Sequence, residues 1–479
     1  MKFGTSGLRG LVDDMTDAVC ARYTRAFLDH LSRGGLSAPR LMLVGRDLRP
    51  SSPRIAAAVR TAAVAAGFEA GDCGVLPTPA LALEAAALGA SAIMVTGSHI
   101  PFDRNGLKFY RPGGEIDKQD EEGILAALSR LTGPVPGGRD HARRDAGARY
   151  ATRIVEAFAP DALSGLRVGV WEHSAAGRDL TATILEALGA QVIRLGRTDD
   201  FVPIDTEALS PRDAAQARTW VGEHRLDAVI STDGDGDRPL VFDERGDFVR
   251  GDLLGMFAAR FLGADAVATP VSSSTALERS GWFSRVARTR IGSPHVIAAL
   301  GALAQEGAAT PVGFEANGGF ILAADAAIAD GGRLCALPTR DALTPIVCVL
   351  RMAVGRGVTL SALMAAAPAR GGASGRIAEA PVALTAALIA ALAASREQRE
   401  QFLADVGVGP ALSLDLTDGL RMMLAGDETL HLRPSGNAPE LRAYAEAVRA
   451  DRAEALVADA LAVAGARLAA MRRSGVVAP

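Results

Sequence analysis

The sequence predicts an α/β protein: three related mixed α/β domains plus a smaller C-terminal α+β domain, set around a central cleft. Three observations lead there. The chain has 479 residues, room for three or four domains at ~150 residues each. Short apolar runs alternate with Ala-rich helical stretches through most of its length, the pattern of sheets covered by helices. Beyond about residue 375 the rhythm changes to closely spaced strand-like segments and then one long helical segment.

The elements follow in order. Residues 1–140 form the first unit, with strands in LMLVG (from Leu41) and SAIMVTG (from Ser91) and a helix in RIAAAVRTAAVAAG (from Arg54). Such alternation predicts a mostly parallel sheet. The Gly-, Pro- and charge-rich stretch Thr132–Ala148 reads as a linker. Residues 141–248 repeat the pattern: a strand in LRVGVW, a helix in RDLTATILEALGA, a strand in QVIRLG, and LDAVIST (Leu226–Thr232) running into an acidic loop. Residues 249–368 hold strand-like AVATPVSSS, VARTRIG and TPVGFEANGGFIL between helices. Ala367–Gly375 reads as a further linker. Residues 369–479 form the last unit, with antiparallel strands, a Gly-Asp turn and a helix from about Asp451.

Composition narrows the function. With 51 basic and 55 acidic residues the net charge is −4, which argues against a duplex nucleic-acid binder while leaving room for a local basic pocket. Four scattered cysteines, with no C-x-x-C pair, suggest neither a disulfide framework nor a zinc knuckle, and a reducing cytoplasm suits them. The N-terminus has no apolar leader pattern, and the longest apolar stretch, from Val382, is too short and Ala-rich to span a bilayer.

Four loops, one per unit, carry chemistry. In VTGSHIPFDRNGLKFY (Val95–Tyr110), Ser98 sits on a Gly turn at the end of a buried strand. There an exposed hydroxyl near backbone N–H groups suits a nucleophile or phosphate acceptor. Lys108 follows and can neutralise a phosphate or move a proton. In STDGDGDRPL (Ser231–Leu240), Asp233, Asp235 and Asp237 alternate along an extended loop, so their carboxylates can converge. Two carboxylates ~4 Å apart repel by about 4 kcal/mol at an effective dielectric of ~20, so three converging groups demand a counter-ion. Oxygen-only donors favour Mg²⁺. An EF-hand is excluded, because Arg238 stands where the glycine is needed and a strand follows. In VGFEANGGF (Val312–Phe320), Glu315 and Asn317 can accept from and donate to adjacent sugar hydroxyls, or form a simple turn. In LRPSGNAPELRAY (Leu432–Tyr444), Arg433, Ser435, Gly436 and Asn437 offer a guanidinium fork, a hydroxyl, backbone N–H groups and an amide, a set suited to phosphate, with Arg442 adding charge.

Taken together these strings resemble the α-D-phosphohexomutases, the phosphomannomutases and phosphoglucomutases among them. FGTSGLRG (Phe3–Gly10) is similar to the family's opening, GRDLRPSSP (Gly45–Pro53) to its G-R-D-x-R-x-S motif, TGSHIP to T-A-S-H-N-P, DGDGDR to its metal loop and RPSGNAP to its phosphate loop, all collinear. The resemblance implies that Ser98 is a phosphoserine. It implies that Asp233, Asp235 and Asp237 hold Mg²⁺ together with that phosphate, and that Arg9 and Lys108 assist proton transfer and charge neutralisation. His99 would support the site, with Arg238 beside the metal loop. Glu315 and Asn317 would contact the sugar. Arg433, Ser435 and Asn437 would bind the distal phosphate. A hexose 1,6-bisphosphate would be intermediate and activator. The partners would be sugar phosphates, with neither nucleic acid nor membrane, and the chain a monomer or homodimer.

The sequence also departs from the family. Gly97 and Ile100 replace Ala and Asn, and Asn437 and Ala438 stand where Thr and Glu are usual. In the sugar loop Asn317 replaces Ser and Gly319 replaces a His, which leaves sugar preference open; His295 could supply an imidazole or be structural. Phosphoglucosamine mutase is the alternative within the family. A Mg²⁺-dependent sugar phosphatase would leave the Ser98 and Arg433 loops idle, and a non-catalytic sugar-phosphate sensor would need neither Ser98 nor the three aspartates.

Overall fold

The computed structural model describes residues 1–4, 7–34, 39–131, 143–207, 209–329, 332–435 and 439–473. Its first three sheets share one wiring. In each, the first strand of a parallel trio lies in the middle, flanked by the other two. These trios are Leu41–Arg46, Glu69–Val75 and Ser91–Val95; then Arg167–Trp171, Gln191–Leu195 and Ala228–Thr232; then Ala266–Pro270, Arg285–Thr289 and Pro311–Phe314. The chain then turns back, and the next strand pairs antiparallel with the third: Arg104–Arg111, Pro239–Phe242 and Phe320–Leu322 respectively. The sheets are therefore mixed, where alternation alone predicts mostly parallel ones. An antiparallel return after a short loop has the same apolar content as a parallel strand, so periodicity cannot separate them.

This wiring positions the site. The three turn-back loops, at 96–103, 233–238 and 315–319, carry Ser98, the three aspartates and Glu315. All three leave the C-terminal ends of parallel strands, where open α/β sheets place their ligands. The strands feeding them are buried along their whole length, as in Ser91–Val95 (SAIMV) and Ala228–Thr232 (AVIST), so the loops start from rigid ground.

The fourth sheet is antiparallel, ordered Gly371–Ile377, Leu441–Ala447, Thr429–Pro434, Leu420–Met423 and Ser413–Asp415. Side chains alternate across it. Leu430, Leu432, Ala443 and Ala445 face a core beneath the helices Val382–Ala394 and Ala450–Arg473, while His431, Arg433, Arg442 and Tyr444 occupy the opposite face. Ala367–Gly375, read above as a linker, instead enters the edge strand of this sheet. Its glycines answer to close approach: a Cβ on Gly371 would lie 2.2 Å from the Ala450 nitrogen, and one on Gly372 would lie 2.3 Å from the Arg250 guanidinium.

One core runs continuously beneath the first three sheets, from Leu43 and Met94 through Tyr150 and Ile230 to Phe314 and Val347. The last unit has its own, around Leu388, Phe402, Leu432 and Leu456. Its contacts with the third unit include polar ones: Thr275 N–H donates to Glu446 (3.1 Å), Ile291 N–H to Asp418 (3.0 Å), and Arg279 pairs with Asp427 (2.8 Å). A polar contact of this kind is more easily parted than a shared apolar core.

Candidate active site

Ser98 lies in the left-handed backbone region (φ 54°), which a non-glycine residue adopts only when its surroundings impose it. Three side chains do so. Ser98 N–H donates to Thr96 Oγ1 (2.8 Å), and Thr96 Oγ1 in turn donates to Asp47 (2.8 Å). The buried Arg49 guanidinium donates to the carbonyls of Ser98, Ile100, Pro101 and Arg104 and to the Asp47 carboxylate, and its face stacks on Phe201. The hydroxyl so held is fully buried rather than exposed as the turn alone suggests, and it donates to Asp233 Oδ2 at 2.6 Å.

The three aspartates converge, with one carboxylate oxygen from each within 4.8 Å of the others. Lys108, on the strand that returns from the Ser98 loop, donates to Asp235 Oδ2 and Asp237 Oδ2, both at 2.6 Å. Thr78 also donates to Asp235 Oδ2 (2.6 Å). Burial and the neighbouring Asp235 and Asp237 push Asp233 up to about 8. Burial opposes the charge of Asp237 too, but Arg340, Lys108 and Arg238 outweigh it and hold this carboxyl far below its ordinary range. Lys108 is likewise kept charged, Asp235 and Asp237 overcoming the cost of burial. Asp235 Oδ1 and Asp237 Oδ1 are buried and make no hydrogen bond among the described residues, with Arg238 Nε approaching the latter only to 3.7 Å. Two unpaired buried carboxylate oxygens beside Asp233 and a serine hydroxyl form a hard, all-oxygen donor set, which fits Mg²⁺.

Cations surround this triad. His99 accepts at Nδ1 from Arg238 Nη1 (3.0 Å), and burial together with Arg238 and Arg9 drives its pKa well down, so the ring is neutral at pH 7. Arg9 pairs in register with Gly106 on the Lys108 strand; burial and the nearby Arg238 and Arg340 lower its pKa to about 10. With Lys108 and Arg340, this is the local basic pocket that a net charge of −4 leaves room for.

The third loop meets the second through Arg340, whose Nη1 donates to Glu315 Oε2 (2.9 Å) and Nη2 to Asp237 Oδ2 (2.7 Å). Asn317, expected to face sugar hydroxyls, is committed within the fold: Nδ2 donates to Glu207 Oε1 (3.0 Å) and Oδ1 accepts from Gly319 N–H (2.9 Å). Glu207 also faces Arg442 (4.0 Å). Arg433 pairs with Asp418 (3.4 Å), and Ser435 N–H donates to the Glu440 carbonyl (2.9 Å). Gly436 and Asn437 lie outside the described residues. His295 is exposed on its helix. Beside the sugar loop, between Ala316 and the polar face of the fourth sheet, lies a cavity of about 220 Å³ lined by Glu207, His431 and Tyr444 among others.

Sequence reading assigns no role to Arg49, Thr78 or Arg340. Arg49 lies within the G-R-D-x-R-x-S string. Arg340 has a weaker signal: an arginine in a strand, Leu337–Asp341, whose other members are mostly buried.

A serine on a strained backbone against a carboxylate triad, ringed by guanidinium groups and served by loops from three sheets of one wiring, is a set of groups suited to phosphoryl transfer in a multi-domain α/β protein. Comparison with known proteins specifies it. Three family descriptions match in order: phosphoglucomutase/phosphomannomutase alpha/beta/alpha domain I at residues 1–133, domain II at 148–246 and domain III at 250–370. A phosphomannomutase of Sinorhizobium fredii is 44% identical over 470 residues, covering 96% of this chain and 98% of its own. One from Salmonella muenchen is 45% identical, covering 93% and 92%. A phosphoglucosamine mutase of Saccharopolyspora erythraea is 32% identical, covering 69% and 76%. Among solved structures, a putative phosphomannomutase from Thermus thermophilus superposes with a TM-score of 0.75 at 22% identity, covering 97% of this chain and 99% of its own. The chain belongs to the phosphoglucomutase/phosphomannomutase family and is a phosphohexomutase, an intramolecular phosphotransferase of the isomerase class.

Proposed function

We propose that Ser98, once phosphorylated, gives its phosphoryl group to the free end of a hexose phosphate. The resulting hexose 1,6-bisphosphate turns over within the cleft and returns its other phosphoryl group to the same oxygen. The observation that carries this reading is the 2.6 Å contact between Ser98 Oγ and Asp233 Oδ2, made across 135 residues of chain.

Phosphoryl transfer asks the protein for alignment and charge neutralisation. Arg49 and Thr96 hold the serine in its strained turn. Asp233, Asp235 and Asp237 would hold Mg²⁺, which when bound supplies charge stabilisation to the transferring phosphoryl oxygens. Lys108 and Arg340 keep the Oδ2 atoms of Asp235 and Asp237 engaged, which leaves their Oδ1 atoms for the cation. Arg9 and Arg238 offer donors to the phosphoryl oxygens, and neutral His99, whose Nδ1 accepts from Arg238, offers its Nε2–H as a further donor. Glu315 Oε1 makes no hydrogen bond among the described residues and is the acceptor for sugar hydroxyls. Asn317 acts by fixing that loop. Arg433, Ser435 and Arg442, with Gly436 and Asn437, grip the phosphate that is not reacting. Units 1–140, 141–248, 249–368 and 369–479 each contribute one loop, and the last closes over bound sugar.

The preferred substrates are mannose and glucose phosphates, in line with the higher identity to phosphomannomutases than to phosphoglucosamine mutases. The setting is the cytoplasm, consistent with four free cysteines, and the protein acts as a monomer or homodimer. Among the described residues no helix is long and apolar enough to cross a membrane. Paired kinetics on mannose 1-phosphate, glucose 1-phosphate and glucosamine 1-phosphate test the assignment. Release of inorganic phosphate in place of the isomerised sugar phosphate would overturn it.

A further inference from the structure

Gly319 and Arg340 occupy one volume. A Cβ built on Gly319 would lie 2.9 Å from Arg340 Cδ and 3.0 Å from the Asp237 carbonyl oxygen, so no side chain fits there while Arg340 holds its place. The resemblance to the family implies a histidine at this position, where this chain has Gly319. Arg340 enters from the strand Leu337–Asp341 and reaches two loops at once: Glu315 Oε2 at 2.9 Å and Asp237 Oδ2 at 2.7 Å. It is 3% exposed, and its Nε is buried without a hydrogen bond among the described residues.

We propose that Arg340 is the specificity-setting positioning residue of this chain, standing in for the missing loop histidine and fixing Glu315 against the metal loop so that Glu315 Oε1 faces the sugar hydroxyls. The inference rests on the phosphohexomutase reading of the site. Its physical basis is the fork of the guanidinium. A planar two-pronged donor sets both the distance and the orientation of the carboxylates it bridges, which an ammonium on a flexible stem does not. With Oε2 engaged, Glu315 keeps one acceptor oxygen at a defined place. A sugar whose hydroxyl meets that oxygen gains a hydrogen bond to a charged group, and a sugar lacking the hydroxyl leaves it unpaired. Anchoring on Asp237 further ties sugar recognition to the loop beside the reacting phosphoryl group.

The test uses the full-length protein and four variants: Arg340→Gln, Arg340→Lys, Arg340→Ala and the exchange Gly319→His/Arg340→Ala. Substrates are glucose 1-phosphate and its monodeoxy analogues. Arg340→Gln is expected to lower kcat/KM for glucose 1-phosphate by about 100-fold, mainly through KM, and to erase the preference over at least one monodeoxy analogue. Arg340→Lys, retaining charge without the fork, should recover turnover but not that preference. The exchange variant should regain about 10-fold over Arg340→Ala. Discrimination among the deoxy sugars is the decisive readout, since a scaffold residue would lower activity on all of them equally. The inference is overturned if Arg340→Gln or Arg340→Lys discriminates as wild type does. It also falls if the exchange is no better than Arg340→Ala. Where Arg340→Gln does not fold, the lysine and exchange variants decide. Failure of wild type itself to convert hexose phosphates would instead sink the functional reading beneath it.

Discussion

The Arg49 guanidinium donates to the Ser98 carbonyl at 2.8 Å, so an arginine half a domain away in sequence holds the backbone of Ser98. The same group satisfies the carbonyls of Ile100, Pro101 and Arg104, and a loop with its carbonyls turned inward onto one cation has little freedom to relax. The left-handed φ of Ser98 is sustained by that network. Arg49→Lys keeps the charge opposite Asp47 but cannot reach four carbonyls. Turnover is expected to fall about 100-fold, the cost of displacing a reacting group by about 1 Å, with KM for the sugar phosphate nearly unchanged. Steady-state kinetics check it; a KM effect without a kcat effect would contradict the positioning role.

Ser98→Ala removes the oxygen that would carry phosphorus and leaves the strained turn intact. Incubation with a ³²P-labelled hexose 1,6-bisphosphate should label wild type and leave the variant unlabelled, with turnover lowered by several orders of magnitude. Near-normal activity in Ser98→Ala would dismiss the phosphoserine.

Most of the cluster around the aspartates is legible in the sequence because its loops are dense in chemistry over short spans: Ser98-His99, three aspartates in five residues, and Glu315. Their convergence is legible only by analogy, since spacing along the chain says nothing about how turn-back loops from three sheets meet. Arg340 escaped because one charged residue in a strand looks like surface until its partners from two other loops are known. Ala367–Gly375 misled for a related reason. Glycines demanded by the close passage of the Ala450 backbone and the Arg250 guanidinium look the same as glycines of a flexible connector. Asn317 shows the limit on the other side: a polar residue in a loop, read as facing a ligand, serves the loop itself through Glu207 and Gly319.

Lys108 Nζ, 2.6 Å from both Asp235 and Asp237, supplies much of the positive charge that permits the triad to be buried. Lys108→Met leaves those carboxylates with less compensation, and breaking a buried ion pair from one side costs about 3–5 kcal/mol. The variant should therefore melt below wild type without divalent cation and regain part of the difference in millimolar Mg²⁺, because a ligand that binds only the folded state stabilises it. Thermal scans with Mg²⁺ and with a chelator measure this. A melting temperature indifferent to Mg²⁺ in Lys108→Met would count against the triad as a cation site.

Two imidazoles give the fold a pH dependence of its own. His173 and His431 are each 1% exposed, and burial above all holds both at about 4. Each donates from Nε2 to a backbone carbonyl, of Thr232 and Asp418 respectively, and buries an Nδ1 that has no partner among the described residues. In the unfolded chain a histidine titrates near 6.5, so between about 6.5 and 4 the unfolded state binds more protons than the folded one. Stability is then complete above pH ~6.5 and declines as the pH falls through that window. The loss reaches about 3 kcal/mol per histidine by pH ~4, at 1.36 kcal/mol per unit of pKa difference. Carboxylates add their own acid sensitivity, so the informative quantity is a difference between proteins. His431→Gln retains a donor for the Asp418 carbonyl and does not titrate. Urea unfolding at pH 7 and pH 5 should show a smaller drop in the stability of the last unit for His431→Gln than for wild type, by about 2 kcal/mol. Equal drops in the two proteins would mean that the His431 ring is protonated inside the fold, and that the burial argument fails there.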